Sequence, residues 1–325
     1  MKQQPEINLF DIDNFNATAL KIFRYQYENN TVYQKFCKNL RTNPEQVFSI
    51  RDIPFLPIQF FKTQQVITGN DAPKGYFRSS GTTGSNISHH YYKNLDRYEA
   101  SFQKGFNLAY GNIKDYCVLA LLPSYLEQKH SSLIYMVKNL IDHSDNPNSG
   151  FYLYEYEALK AKLNFLELQK QKTLLLGVTF ALLDLVEKFP VRLKNTIVME
   201  TGGMKGRRKE MVREELHEIL CDGFGVEKIH SEYGMTELFS QAWSKGDGVF
   251  NTPPWMQILI RDVNDPLTMI EDGKTGGINV IDLANLDSCS FIATQDLGRI
   301  HQDGSFEILG RYDNSDVRGC NLLIN

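Results

Sequence analysis

Short apolar runs of β character, each followed by a helix-length pattern, recur along the middle of the chain and constrain its fold more than any other feature. Tyr116-Cys117-Val118-Leu119-Ala120-Leu121-Leu122 precedes a helix pattern from about Ser124 to Ile141. Residues 173–178 read as a strand ahead of a helix over 180–188, and residues 196–200 as a third strand ahead of a helix over 205–220. Strands separated by helices return to their sheet by crossovers, so the repeats predict a largely parallel sheet covered by helices, an α/β fold. After Glu237 the pattern changes. Gly/Asp turns at 245–248, 271–273 and 303–304 separate short β-type runs at 256–260, 278–283 and 306–309, which predicts a smaller antiparallel β region.

The first fifty residues carry apolar positions at helical spacing, Phe15, Leu20, Ile22 and Phe23, then Phe36, Leu40 and Val47, with a break at Asn43-Pro44. Two or three amphipathic helices follow from that spacing. Pro54 and Pro57 then disfavour helical backbone in the residues before them, making an extended connector. The expected organisation is an N-terminal helical segment over 1–50, a core over 51–310 with a β-rich part from about 245, and a short tail over 311–325.

Of the 325 residues, 42% are hydrophobic and 23% charged, enough apolar material for a large core. Lys and Arg number 35 against 39 Asp and Glu, a net charge of −4, so there is no bulk attraction to nucleic acid or an anionic membrane. No apolar run approaches the roughly 18 residues of a membrane span, so none is expected. Five cysteines, Cys37, Cys117, Cys221, Cys289 and Cys320, are scattered without a CxxC pair, which argues against a disulfide framework and a zinc site. The polar, acidic N-terminus lacks the basic start and apolar stretch of a signal peptide, so the expectation is a reduced, cytoplasmic protein.

The chemistry concentrates in four segments. Arg78-Ser79-Ser80-Gly81-Thr82-Thr83-Gly84-Ser85 is dense in hydroxyls and glycine, a composition unsuited to a core element but suited to wrapping polyphosphate oxygens with hydroxyl and backbone N–H donors. It lacks the lysine of a Walker A loop. His230-Ser231-Glu232-Tyr233-Gly234-Met235-Thr236-Glu237 offers an aromatic ring for a purine and a hydroxyl and carboxylate for Mg²⁺ at the phosphates, although alone it reads as a strand-to-helix corner. Thr294-Gln295-Asp296-Leu297-Gly298-Arg299 and Gly310-Arg311-Tyr312-Asp313 supply a carboxylate for ribose hydroxyls and a nearby guanidinium, and alone each reads as turn chemistry. Lys205-Gly206-Arg207-Arg208-Lys209 reads as a solvated helix start, and His230 as a structural hydrogen-bonder.

In this order the four segments resemble the adenylate-forming superfamily of acyl-CoA synthetases, peptide-synthetase adenylation domains and luciferases. Within it the chain looks most like the LuxE-type acyl-protein synthetases, the fatty-acid-activating component of bacterial fatty acid reductase complexes. Ile53-Pro54-Phe55-Leu56-Pro57, Leu122-Pro123-Ser124-Tyr125-Leu126-Glu127, Leu175-Leu176-Gly177-Val178-Thr179 and Arg318-Gly319-Cys320 carry that closer likeness, which runs from about residue 50 to the end. The resemblance implies the large domain of an adenylate-forming enzyme. It implies that Ser79, Ser80, Gly81, Thr82, Thr83, Gly84 and Ser85 hold the β- and γ-phosphates of ATP, that Gly202, Gly203 and Met204 line the adenine, and that Tyr233 stacks on it. Thr236 and Glu237 would serve phosphate and Mg²⁺, Asp296 the ribose hydroxyls, and Arg311 the ribose or α-phosphate. The implied reaction joins a carboxylic acid of the fatty class to AMP and then passes the acyl group to a thiol.

Two departures stand out. The phosphate loop continues into Asn86-Ile87-Ser88 where the superfamily usually has Pro-Lys, and only 14 residues follow Arg311 where a mobile domain with a catalytic lysine is usual. The expectation is a core lacking that mobile domain, with slow intrinsic adenylation unless a partner assists. In the LuxE-type family a cysteine near the C-terminus takes the acyl group as a thioester and hands it to a partner, and Cys320 matches by position, with Arg318 favouring its thiolate. A reductase or a carrier protein is the implied acyl-accepting partner. Two other readings stand beside this one: a ligase using the external thiol of coenzyme A or a carrier protein, and a nucleotide- or acyl-binding scaffold without catalysis.

Overall fold

A computed structural model describes residues 8–79, 87–123, 130–202 and 211–311 of the chain. Its helices are α1 (Phe15–Asn29), α2 (Thr31–Asn39), α3 (Phe60–Thr63), α4 (Asp96–Tyr110), α5 (Ser132–Ser144), α6 (Tyr156–Leu168), α7 (Thr179–Lys188) and α8 (Arg213–Phe224). Its strands are β1 (Leu56–Pro57), β2 (Gly75–Arg78), β3 (His89–Tyr92), β4 (Cys117–Leu121), β5 (Gly150–Tyr152), β6 (Thr173–Val178), β7 (Thr196–Thr201), β8 (His230–Tyr233), β9 (Ala242–Ser244), β10 (Val249–Asn251), β11 (Met256–Arg261), β12 (Gly276–Asp282), β13 (Phe291–Ile300) and β14 (Phe306–Arg311). The chain divides into two compact units, residues 71–253 and residues 1–70 with 254–325.

The unit of residues 71–253 carries the expected parallel sheet. Five strands run parallel in the order β5-β4-β6-β7-β8, and β9 and β10 follow antiparallel at the β8 side. Every residue of β4 and β6 is buried, as strands covered on both faces must be, which is why they read as unbroken apolar runs. From β4 the chain builds β5 on one side and then crosses to place β6, β7 and β8 successively on the other. The order of connection therefore reverses between β4 and β6, and in open α/β sheets the carboxyl ends of strands around such a reversal form the ligand crevice. A separate hairpin, β2–β3, completes the unit.

The helix expected from Ser124 begins at Ser132, because Ser131 caps it by accepting a hydrogen bond from the Ile134 amide. The helix expected from Lys205 begins at Arg213, and residues 203–210, with the basic run 205–209, lie outside the described residues.

In the other unit, β11, β12, β13 and β14 form an antiparallel sheet in sequence order, and β1 pairs parallel with the start of β13. Helix α1 buries Ala19, Ile22, Phe23 and Gln26 at helical spacing. Gln26 tolerates burial because its amide donates to the carbonyls of Asn285 and Leu286 and accepts from the Ser290 amide. Asn30 caps α2 through the Tyr33 amide and also donates to the Ser288 carbonyl at 2.9 Å. The N-terminal helices are thereby tied by hydrogen bonds to the chain between β12 and β13.

Candidate active site

The hydroxyl-rich segment is the connection of a β-hairpin. Register runs from Gly75 opposite Tyr92 to Arg78 opposite His89. The last described pair closes the base: the Ser79 amide donates to the Ser88 carbonyl at 3.1 Å and the Ser88 amide to Ser79 Oγ at 3.0 Å. Ser80, Gly81, Thr82, Thr83, Gly84 and Ser85 lie outside the described residues. Strand alternation turns Phe77 and His90 inward. Phe77 packs its ring 5.2 Å from Tyr98, and the His90 ring lies 4.7 Å from that of Phe239.

His90 is fully buried, and its Nδ1 lies 2.8 Å from the carbonyl oxygen of Thr236. Burial pushes the imidazole pKa down to about 4, against a smaller opposing effect of the bond to Thr236. The ring is therefore neutral near pH 7, and its Nδ1–H donates to Thr236. This bond joins the hairpin carrying the first segment to the second segment. Sequence reasoning missed His90, although a histidine pair directly after a hydroxyl-glycine loop was the available signal.

The second segment departs from the strand-to-helix corner. β8 ends at Tyr233 and the chain turns at Thr236 and Glu237 into antiparallel β9. Tyr233 is largely buried, its ring edge-on to Phe250 at 6.0 Å. Thr236 is partly exposed and Glu237 buried. His230 meets its structural expectation: its Nδ1 lies 3.2 Å from the Tyr110 hydroxyl, and burial with the charges of Lys245 and Lys228 lowers its pKa to about 4.

Two carboxylates flank the carboxyl ends of β7 and β8. Glu200 is buried, accepts from Thr179 Oγ1 at 3.1 Å, and lies 3.8 Å from His217 Nε2. Burial alone would raise its pKa, but His217, Arg213 and Ser231 together hold it below the ordinary carboxylate value. Glu232 accepts from Thr201 Oγ1 at 2.6 Å. Burial and the charge of Glu200 push its pKa up to about 7, with Thr201 opposing. Gly202 follows Thr201 at φ +75, a left-handed conformation that favours glycine, and Gly203 and Met204 lie outside the described residues.

In the unit of residues 1–70 and 254–325, Asp296 and Arg311 stand directly opposite each other on β13 and β14. Arg311 Nε is 3.3 Å from Asp296 Oδ1, with Asp296 buried and Arg311 exposed. Both lie in strands, so the turn reading of these segments is corrected. The ladder absorbs the polar Asp296-Leu297-Gly298 run by a register shift between Leu297 and Gly298. Behind Asp296 lies a network absent from the sequence reading. The Asp296 amide donates to Thr294 Oγ1, and the buried Arg261 donates to the carbonyls of Ile278 and Thr294 and to Asn279 Oδ1. Gly277 makes room for it, since a Cβ there would stand 2.6 Å from Arg261 Cζ. A lone arginine closing the apolar strand 256–261 was the signal.

Cys320 lies outside the described residues. Of the other thiols, Cys37, Cys117 and Cys289 are buried and Cys221 partly so. Burial raises the pKa of each, that of Cys37 to about 12. Among the described residues no three His, Cys, Asp or Glu side chains gather to hold a metal, and no helix is long and apolar enough to cross a membrane.

No curated protein matches the chain. Solved structures do. ATP-bound MatB from Rhodopseudomonas palustris is similar at a TM-score of 0.55 and 17% identity, over 75% of this chain and 49% of MatB. MenE, the O-succinylbenzoate coenzyme A synthetase of Bacillus subtilis solved with AMP, is similar at 0.51 and 19% identity, over 76% of this chain and 50% of MenE. 2-Hydroxyisobutyryl-CoA ligase, solved in its postadenylation state with 2-HIB-AMP, is similar at 0.65 and 14% identity, over 92% of this chain and 67% of the ligase. The chain thus spans about half the length of MatB and MenE, and it has the α/β fold of the large domain of adenylate-forming enzymes. The family model described as acyl-protein synthetase, LuxE, matches residues 11–325. The chain belongs to the LuxE acyl-protein synthetase family.

Proposed function

We propose that this chain activates a carboxylic acid of the fatty class with ATP and transfers the acyl group to the thiol of Cys320. The observation that carries the reading is the bond from His90 to the Thr236 carbonyl, which ties the hairpin of the hydroxyl-glycine loop to the Tyr-Gly-Met-Thr-Glu segment. A loop of phosphate donors and a segment able to hold a base and a cation have a joint use in binding a nucleoside triphosphate.

In this reading Ser79 to Ser85 bind the β- and γ-phosphates, Gly202, Gly203 and Met204 line the adenine, and Tyr233 stacks on it. Asp296 takes the ribose hydroxyls and Arg311 the ribose or α-phosphate. A carboxylate oxygen of the acid attacks the α-phosphorus, the bond to the bridging oxygen breaks, and pyrophosphate leaves. Two anions must be brought together, so donors fixed before reaction offset their repulsion. The thiolate of Cys320 then attacks the acyl carbon and AMP leaves, giving a thioester for a partner reductase or carrier protein. The raised pKa values of the other four thiols suit them poorly to that attack.

Mg²⁺ fits the donor set. It is usually held by one or two carboxylates together with substrate phosphates, and Glu237, beside Thr236, provides one where no protein cage of three ligands exists among the described residues. When bound, it would neutralise phosphate charge.

Exchange of labelled pyrophosphate into ATP, run across a panel of carboxylic acids, tests the first step; no exchange with any acid would favour a non-catalytic scaffold. Intact-protein mass spectrometry tests the second. An acyl adduct that disappears in Cys320→Ser while exchange persists supports the internal thiol, and an adduct appearing only on added coenzyme A or carrier protein overturns it.

A further inference from the structure

We propose that helix α6 is a self-association surface: two copies of this chain pair their α6 helices antiparallel about a two-fold axis, through a second apolar stripe that faces solvent. The inference concerns assembly and goes beyond the adenylation reading.

Helix α6 carries two apolar stripes. Tyr156, Leu159, Leu163 and Leu166 are buried and form its inner face. Ala158, Ala161, Phe165 and Leu168 repeat at the same spacing of three, four and three residues, and at 3.6 residues per turn they lie about 160° around the helix from the first set. All four are exposed, Phe165 by 48% and Leu168 by 82%. A helix on the surface of a monomer needs only the inner stripe. Single exposed apolar residues are common, but a set in register at alternating three-four spacing is the seam along which one helix packs on another.

The stripe is complementary to itself in one direction. Its amino-terminal half is small, Ala158 and Ala161, and its carboxyl-terminal half large, Phe165 and Leu168. Laid antiparallel on a second copy, with the two-fold axis level with Leu163, it sets Phe165 opposite Ala161 and Leu168 opposite Ala158. Knobs then face holes along the whole contact, whereas parallel pairing would crowd the large residues and leave the alanines apart. Charge agrees with shape. Glu157 lies in the first turn and Lys170 lies two residues past the last, both exposed. The same two-fold axis brings each Glu157 end to a Lys170 end and sets the helix dipoles in opposite directions.

A helix of 13 residues is about 20 Å long, so the contact is smaller than the roughly 800 Å² per partner of a standard interface. The dimer it makes is therefore weak, in the micromolar range.

The test is sedimentation velocity of the whole chain at low ionic strength, over about 1 to 300 μM. The wild type is expected to pass from monomer to dimer across that range. Leu168→Glu changes a side chain already exposed in the monomer, so it should leave the thermal melt of dilute protein nearly unchanged while weakening the dimer roughly thirtyfold or more. Charge swaps read the direction. Glu157→Lys and Lys170→Glu each put like charges at both ends of the pair and should associate roughly tenfold more weakly than the wild type. An equimolar mixture of the two should recover the dimer, because every end again meets its opposite, and misfolding of either variant could not produce that recovery. A wild type monomeric throughout, a dimer indifferent to Leu168→Glu, or single variants that gain nothing on mixing overturn the inference. A stripe that takes up only a different protein leaves the wild type alone monomeric and overturns it as well. Pyrophosphate exchange is not the readout, so failure of the adenylation reading leaves this inference intact.

Discussion

Asp296 and Arg311 face each other across β13 and β14, with Arg311 Nε 3.3 Å from Asp296 Oδ1. The two are unequal partners. Asp296 is fixed by its strand and by the Thr294 hydroxyl beneath its amide, while the Arg311 side chain is 71% exposed. An exposed ion pair contributes little to folding, about 0–1 kcal/mol. Arg311→Ala should therefore leave the melting temperature nearly unchanged while weakening ATP binding by roughly tenfold, the scale of one charge-assisted hydrogen bond. Calorimetric titration with ATP beside a thermal melt checks this. A fall in stability with ATP affinity intact would show a structural pair.

Arg261 makes the opposite prediction. Its guanidinium is buried and spends its donors on the Ile278 and Thr294 carbonyls and on Asn279 Oδ1. Arg261→Ala strands those acceptors and opens a void, so the variant should lose about 3–5 kcal/mol of stability, the range for removing one partner of a buried charged network. Urea unfolding measures it. Because the same network seats Thr294 under Asp296, ATP affinity in the surviving folded fraction should fall as well. A loss below 1 kcal/mol would mean that water satisfies the exposed carbonyls.

The division between what was legible in the chain and what was not follows the range of each interaction. β6 was readable end to end because both its faces are buried and its run of apolar residues is unbroken. Taken alone, the Asp296 segment reads as turn chemistry because Asp and Gly signal turns locally, whereas Asp296 lies within β13. Its strand is held by partners on β12 and β14, and the pattern of β13 alone does not reveal where the register shifts. The motif segments were visible as compositions, yet the bond that connects two of them spans 146 positions and depends on which face of β3 turns inward. Arg261 was passed over for the same reason. A lone charged residue closing a mainly apolar strand shows its purpose only when its cross-sheet neighbours are known.

His90 offers the sharpest test of the link between motifs. Its pKa is about 4 in the folded chain against an ordinary 6.5, so as the pH falls below 6.5 the unfolded chain takes up the proton first. Stability from this site is complete above pH 6.5 and is lost progressively between 6.5 and 4, by about 3 kcal/mol at 1.36 kcal/mol per unit. His90→Leu removes that titration and leaves the Thr236 carbonyl without its donor. The stability difference between wild type and variant, measured by urea unfolding from pH 7.5 to 4.5, should therefore shrink toward acid; the depressed titration of His230 is common to both proteins and cancels. At pH 7.5 the variant should also lose roughly ten- to hundredfold in pyrophosphate exchange, the scale of a small misplacement of reacting groups. His90→Asn, which restores an amide donor toward Thr236, should recover part of the exchange without recovering the pH dependence. Exchange that survives in His90→Leu would mean that the hairpin holds its place without this bond.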